Sequence, residues 1–174
     1  MRTVSLNARR AFTAATTDEI EVALILIEHP SLDAPIRLSS DPTERLSTQP
    51  LAYGTRSAWM DSDPATEPFL FVLASAEIPG DQEDAPAVAA IVLENVDNDI
   101  AAMLRSFTDR PVAHLAVVLA SSPDLVEVEY RDLRIVSADG DAAEVRLSLS
   151  RQPIEDEAVP MDRFSKDRFP GLFR

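Results

Sequence analysis

Apolar residues in this chain fall in short runs or at every second position, which are the spacings of β-strands. Ile20 to Ile27 is rich in aliphatic and β-branched residues and predicts a strand. Ile36 to Leu38 predicts a short partner across the connection His29 to Pro35, so residues 20–38 read as a hairpin with a long, proline-stiffened loop. Phe69 to Ala76 predicts a further strand. Val88 to Leu93 and Val112 to Leu119 are apolar on both faces, as expected of strands covered on both sides. From Leu125 to Val136 apolar positions recur near every second residue. Ala143, Val145, Leu147 and Leu149 then alternate with Glu144, Arg146, Ser148 and Ser150, the pattern of a strand with one wet face. Ser121 to Asp124 is a turn signal, and Asp139-Gly140 predicts a tight hairpin turn.

Two stretches have helical spacing instead. Between Leu93 and Val112, Asp97 or Asn98 can cap a helix, and Ile100, Met103, Leu104 and Phe107 would share one face. Asp99 adds negative charge at the positive end of that helix, and Pro111 ends it. This predicts a short amphipathic helix lying against the sheet between two core strands. Asn7 to Ala15 predicts a second short helix. Ser39 to Glu67 shows no clear period beyond possible short strands at Leu51–Tyr53 and Ser57–Trp59, so a long irregular loop is expected over 39–68. The expected fold class is mainly β (α+β): a two-sheet β-sandwich or small barrel with one flanking short helix. The expected organisation is one β-rich domain over 1–150 and an extended tail over 151–174, with no internal repeat.

Composition narrows the functional classes. The chain has 174 residues, 45% of them hydrophobic, which suffices for an ordinary core. A formal charge of −14 argues against nonspecific binding to DNA or to an anionic membrane surface. The absence of cysteine excludes disulfides, thiol catalysis and cysteine-ligated metals. With only His29 and His114, a multi-histidine metal site within one chain is not expected, nor is any cofactor. No run reaches the ~18 apolar residues of a membrane span, and the first residues lack a signal-peptide pattern.

The remaining candidates for chemistry have simpler readings. Asp97 and Asp99 fit a helix cap, and Asp139-Gly140-Asp141 lacks the further ligands of a calcium loop. Asp61 and Asp63 could touch a cation but read as solvated loop acids. His114, inside an apolar strand, reads as a hydrogen-bonded core or interface histidine, and His29 as a turn residue. Four scattered glycines make no phosphate-binding loop, so no enzymatic activity is expected. Trp59, the single tryptophan, is either an anchor inside the monomer or a contact for a neighbouring subunit. Phe164, Phe169, Leu172 and Phe173 are too apolar to leave in water on an irregular segment, so they too are intersubunit contact candidates, with docking on their own domain as the alternative.

Four stretches, in this order, together resemble a family. They are Glu28 to Leu38 (EHPSLDAPIRL), Leu93 to Ile100 (LENVDNDI), Leu115 to Asp124 (LAVVLASSPD) and Phe169 to Phe173 (FPGLF). The family is an uncharacterised one encoded among the tail genes of long-tailed bacteriophages. Residues 41–68 resemble it least. The resemblance implies a fold similar to tail-tube subunits and a structural role in the tail tip, as a distal tail protein. It further implies a ring of identical copies, hexameric as the favoured form or trimeric if the protein is the adjoining hub. Its neighbours would be the tail-tube protein, the hub or baseplate and the tape-measure protein, with DNA only in transit and no membrane. The site would be the virion tail, after synthesis in the host cytoplasm. In such a ring, the acidic turns at Asp81–Asp84 and Asp139–Asp141 are candidates to line a lumen that repels DNA. A tail-tip hydrolase and a sugar-binding sandwich stacking on Tyr53, Trp59 or Tyr130 are the alternatives.

Overall fold

The computed structural model describes residues 5–77, 88–94, 110–140 and 144–150. Within them the fold is mainly β. A helix α1 (Leu6–Thr13) is followed by strands β1 (Glu21–Glu28), β2 (Ile36–Ser39), β3 (Glu44–Thr48), β4 (Leu51–Thr55), β5 (Phe69–Phe71), β6 (Leu73–Glu77), β7 (Val88–Glu94), β8 (Val112–Leu119), β9 (Ser122–Gly140) and β10 (Glu144–Ser150). All ten strands belong to one mixed sheet in the order β3-β4-β5-β2-β1-β8-β9-β10-β7-β6. The sheet curls into a half-barrel. One curled sheet therefore forms, rather than two separate sheets.

The curl has a local cause in β9. Opposite β8, Val117 pairs with Val128 and Val118 with Val126, so Glu127 is an extra residue. Ala113 pairs with Leu133 and Leu115 with Tyr130, so His114 faces both Arg131 and Asp132. Opposite β10, Ser148 pairs with Ser137 and Leu149 with Ile135, leaving Val136 over. Each is a β-bulge, which bends its strand and increases the twist. Asp132 takes the left-handed conformation (φ 59°) that the second bulge requires. The bulges also shift which residues face inward: Val126 packs outside, Val128 and Tyr130 inside, then Leu133 and Ile135.

Two apolar clusters lie on opposite faces of β1 and β8. Ile25, Ile27, Ala113 and Leu115 join the inner core with Leu38, Val72, Ile91, Leu93, Leu133, Val145, Leu147 and Leu149. Val22, Leu24, Leu26, Ala116 and Val118 face the other way and pack with Trp59 and Phe69. This two-sided burial is why β1 and β8 read as continuous apolar runs while β10 alternates. β5 and β6 are separated only by Val72, yet they stand third and last in the strand order. The covalent step through Val72 brings the last strand to the end of β5, and the curl makes that possible.

Four sequence expectations need correction. Phe69 to Ala76 is not one strand but two, broken at Val72. Residues 39–68 are not a long irregular loop throughout: β3 and β4 form an antiparallel hairpin there, with a cis peptide at Gln49–Pro50. Ser57–Trp59 is not a strand but leads into a 3-10 turn over Trp59–Asp61. Gly140 is still paired, with Val145, so Asp139-Gly140 closes β9 and the connection follows it. The expected helix around Ile100 to Phe107 lies outside the described residues, as do residues 151–174. Helix α1 is capped by Ser5, whose Oγ accepts the Ala8 N–H at 3.1 Å.

Candidate assembly surface

Residues 56–68 form a cap over the outer face of β1 and β8. Two arginines hold it from either side. Arg37 on β2 pairs with Glu67 at 3.1 Å and donates Nε–H to Ser62 Oγ at 3.0 Å. Arg56 pairs with Glu44 at 2.8 Å and donates to the carbonyls of Pro64 and Leu46. At the front edge, Ser57 Oγ donates to the Pro123 carbonyl at 2.7 Å, and the Ala58 N–H donates to Asp124 Oδ1 at 2.7 Å. Met60 and Asp61 both take left-handed backbone angles (φ 57° and 56°), which turns the chain sharply after Trp59. Asp63 accepts hydrogen bonds from the Ala65 N–H and the Thr66 hydroxyl. These lower its pKa below the ordinary aspartate value, with the Ala65 N–H as the leading cause.

Trp59 is the centre of this cap and only 5% exposed. Its ring lies 5.8 Å from that of Phe69, tilted by 36°, and its indole N–H points to Glu129 Oε2 at 3.3 Å. Of the two roles expected for Trp59, the structure places it as an anchor within the chain, where its ring offers almost no surface to a neighbour. Tyr130 is buried in the inner core and Tyr53 is half-buried, so neither Trp59 nor Tyr130 presents a flat platform to a sugar ring. Phe164, Phe169, Leu172 and Phe173 lie outside the described residues.

β5, which carries Phe69, ends at Phe71, and β6 begins at Leu73 after the break at Val72. Phe69 packs in the outer cluster, and Leu73, between the inward-packed Val72 and Ala74, faces away from the inner core; Leu70 is exposed as well, at 43%. Trp59 covers Phe69, whereas Phe71 is 36% and Leu73 54% exposed. Val72 between them turns inward into the main core. Leu73 pairs across to Glu94, an exposed acid, and β6 is the last strand of the sheet. An apolar strip thus runs from under the cap to a strand that, among the described residues, pairs on one side only. Sequence reasoning missed it because an apolar run gives no sign of which side is left uncovered. The only hint is that Phe-Leu-Phe-Val-Leu is apolar at every position.

The two histidines behave as the sequence suggests. His114 is 4% exposed, and its Nδ1 accepts the Asp132 N–H at 3.3 Å, filling the bulge. Its Nε2 lies 3.7 Å from a carboxylate oxygen of Glu28. His29 sits in the turn after β1, where its carbonyl accepts the Leu32 N–H. Its Nδ1 accepts from both the N–H (3.1 Å) and the hydroxyl (2.5 Å) of Ser31. Both contacts lie within the turn that follows β1. Beside it is an open depression of about 390 Å³ lined by Glu28, Pro30, Leu32, Asp33, Pro35 and Val112 among others. Among the described residues, no cluster of three His, Cys, Asp or Glu could hold a metal ion. No helix among them is long and apolar enough to cross a membrane.

Helix α1 is lightly attached. Ala8 is buried, and the Ser5 N–H donates to Oε2 of the buried Glu127 at 2.7 Å. Leu6 and Phe12 remain exposed. No protein-family model matches the chain, and no curated protein matches it in sequence.

Proposed function

We propose that this protein is a structural component of a bacteriophage tail tip, acting as a ring-forming distal tail protein rather than as an enzyme. The observation that carries the reading is the exposed apolar pair Phe71 and Leu73 beside the edge of β6, which pairs only with β7 among the described residues, with β3 as the strand at the other end of the same sheet. A patch and an edge of this kind suit association with other protein surfaces. The resemblance in four stretches of sequence supplies the biological setting, and with it a fold similar to tail-tube subunits. Burial of Trp59 and Tyr130 weakens the sugar-binding alternative. The ring would join the tail tube to the hub or baseplate and let DNA pass. Its acidity supports such a passage, since a negative wall repels phosphates. Asp139 is an exposed candidate for the lumen; Asp81–Asp84 and Asp141 lie outside the described residues.

The test is the native mass of the purified protein, followed by cryo-electron microscopy of tails that contain it. A closed hexamer at the end of the tail tube is the expected result. A closed trimer would move the protein to the hub. A monomer at high concentration that is absent from tails would refute the reading.

A further inference from the structure

The strip on β5 and β6 needs a partner, and the chain itself encodes a suitable one. Residues 163–174 hold Phe164, Phe169, Leu172 and Phe173 together with Arg163, Lys166, Arg168 and Arg174, against a single acid, Asp167. Four of the chain's 16 Lys and Arg residues therefore fall in this aromatic segment, which is net positive within a chain of −14. An acidic surface attracts such a segment at long range, and an apolar strip holds its phenylalanines at contact. Glu94, exposed opposite Leu73, places negative charge at the strip itself.

Reach allows the segment to leave its own domain. It is tethered at Ser150, the end of β10, through residues 151–163. Thirteen residues of extended chain span up to about 45 Å. A compact domain of this length has a radius of gyration of only about 16 Å. The segment can therefore clear its own domain and meet the same strip on another copy.

We propose that residues 164–173 of one copy dock on the Phe71–Leu73 strip of the next, along the edge of β6 that has no partner strand among the described residues. The contact is heterologous, with a different surface on each partner. Repeated around an axis it closes a ring, which is how it deepens the tail-tip reading on which it rests.

Two full-length variants test it. One carries Phe71→Ser and Leu73→Ser; the other carries Phe164→Ser, Phe169→Ser and Phe173→Ser. The substituted residues on the strip are exposed, so circular dichroism of the first variant should match the wild type. Native mass spectrometry should find each variant monomeric alone. Their mixture should give a one-to-one pair, because one supplies an intact segment and the other an intact strip. Raising the salt concentration should weaken the pair. Assembly of either variant like the wild type would overturn the dock, and so would failure of the mixture to pair.

A second measurement covers poor folding of either variant. The chain has no cysteine, so Leu73→Cys with Phe169→Cys in one chain provides a clean probe. Mild oxidation should link separate chains; a disulfide closed within one chain would overturn the proposal. The two readings fail differently. A wild type that associates through this contact as open chains, not closed rings, leaves the dock and removes the ring. A wild-type ring that survives both sets of substitutions leaves the ring and removes the dock.

Discussion

Replacing Trp59 with alanine should be among the most damaging changes in the molecule. The ring is 5% exposed, packs against Phe69 and closes the outer core over Leu24, Leu26, Ala116 and Val118. Truncating a buried aromatic residue costs about 3–5 kcal/mol from lost transfer and cavity terms. For a chain of this length each kcal/mol moves Tm by roughly 2–4 °C, so a fall of about 6–20 °C is expected. Trp59→Phe keeps a ring beside Phe69 and loses the hydrogen bond to Glu129, with a smaller cost of about 1–2 kcal/mol. Urea unfolding followed by far-ultraviolet circular dichroism measures both; fluorescence cannot, because Trp59 is the single tryptophan. Limited proteolysis adds a local readout. In Trp59→Ala, cleavage within residues 56–68 should speed up more than cleavage elsewhere, because the arginine and serine contacts hold only the rim of the cap. A loss below about 1 kcal/mol for Trp59→Ala would refute the view that this side chain is the anchor of the cap.

Gly54→Ala should destabilise by several kcal/mol in the same denaturation assay, since a Cβ there would lie 1.9 Å from the Phe69 carbonyl oxygen at a φ of 155°. Asp132→Val should cost about 1–2 kcal/mol through left-handed strain at φ 59°, whereas Asp132→Gly should be tolerated within about 1 kcal/mol. Asp63 has a folded pKa below its unfolded one, so its stabilising contribution is complete above the ordinary aspartate range and lost as pH falls through the lowered value. A carboxyl-carbon NMR titration should show Asp63 ionising below the ordinary aspartate value, and Thr66→Ala should move it back toward that value.

Strands with a burial pattern of their own were legible in the sequence, while features created by distant pairing were not. β1, β8 and β10 each carry their environment in their spacing: two covered faces for the first two, one for the third. β3 was invisible because Glu44, Arg45, Ser47 and Thr48 are polar at the margin of a sheet, and the hairpin is held by pairing with β4 and by Arg56. The break at Val72 left no mark, because a one-residue switch between two sheet positions does not interrupt an apolar run. The bulges at Glu127, Asp132 and Val136 blur the alternation of β9 without ending it, so the curl they produce was not readable. Trp59 could be identified as an anchor, but whether it faced its own chain or a neighbour depended on where Phe69 lay.

The central pairing has a consequence for the order of events during synthesis. Each residue of β1 meets its β8 partner 84 to 98 positions further along the chain, from Glu28–Val112 to Glu21–Leu119. At about 5–20 residues per second, a ribosome needs roughly 4–20 s to deliver β8 after β1. Throughout that interval Val22 to Ile27, apolar on both faces, has β2 on one side and nothing on the other. Such a segment is the part of the nascent chain most open to wrong strand partners. Expression at low temperature or with a holding chaperone should therefore raise the soluble yield.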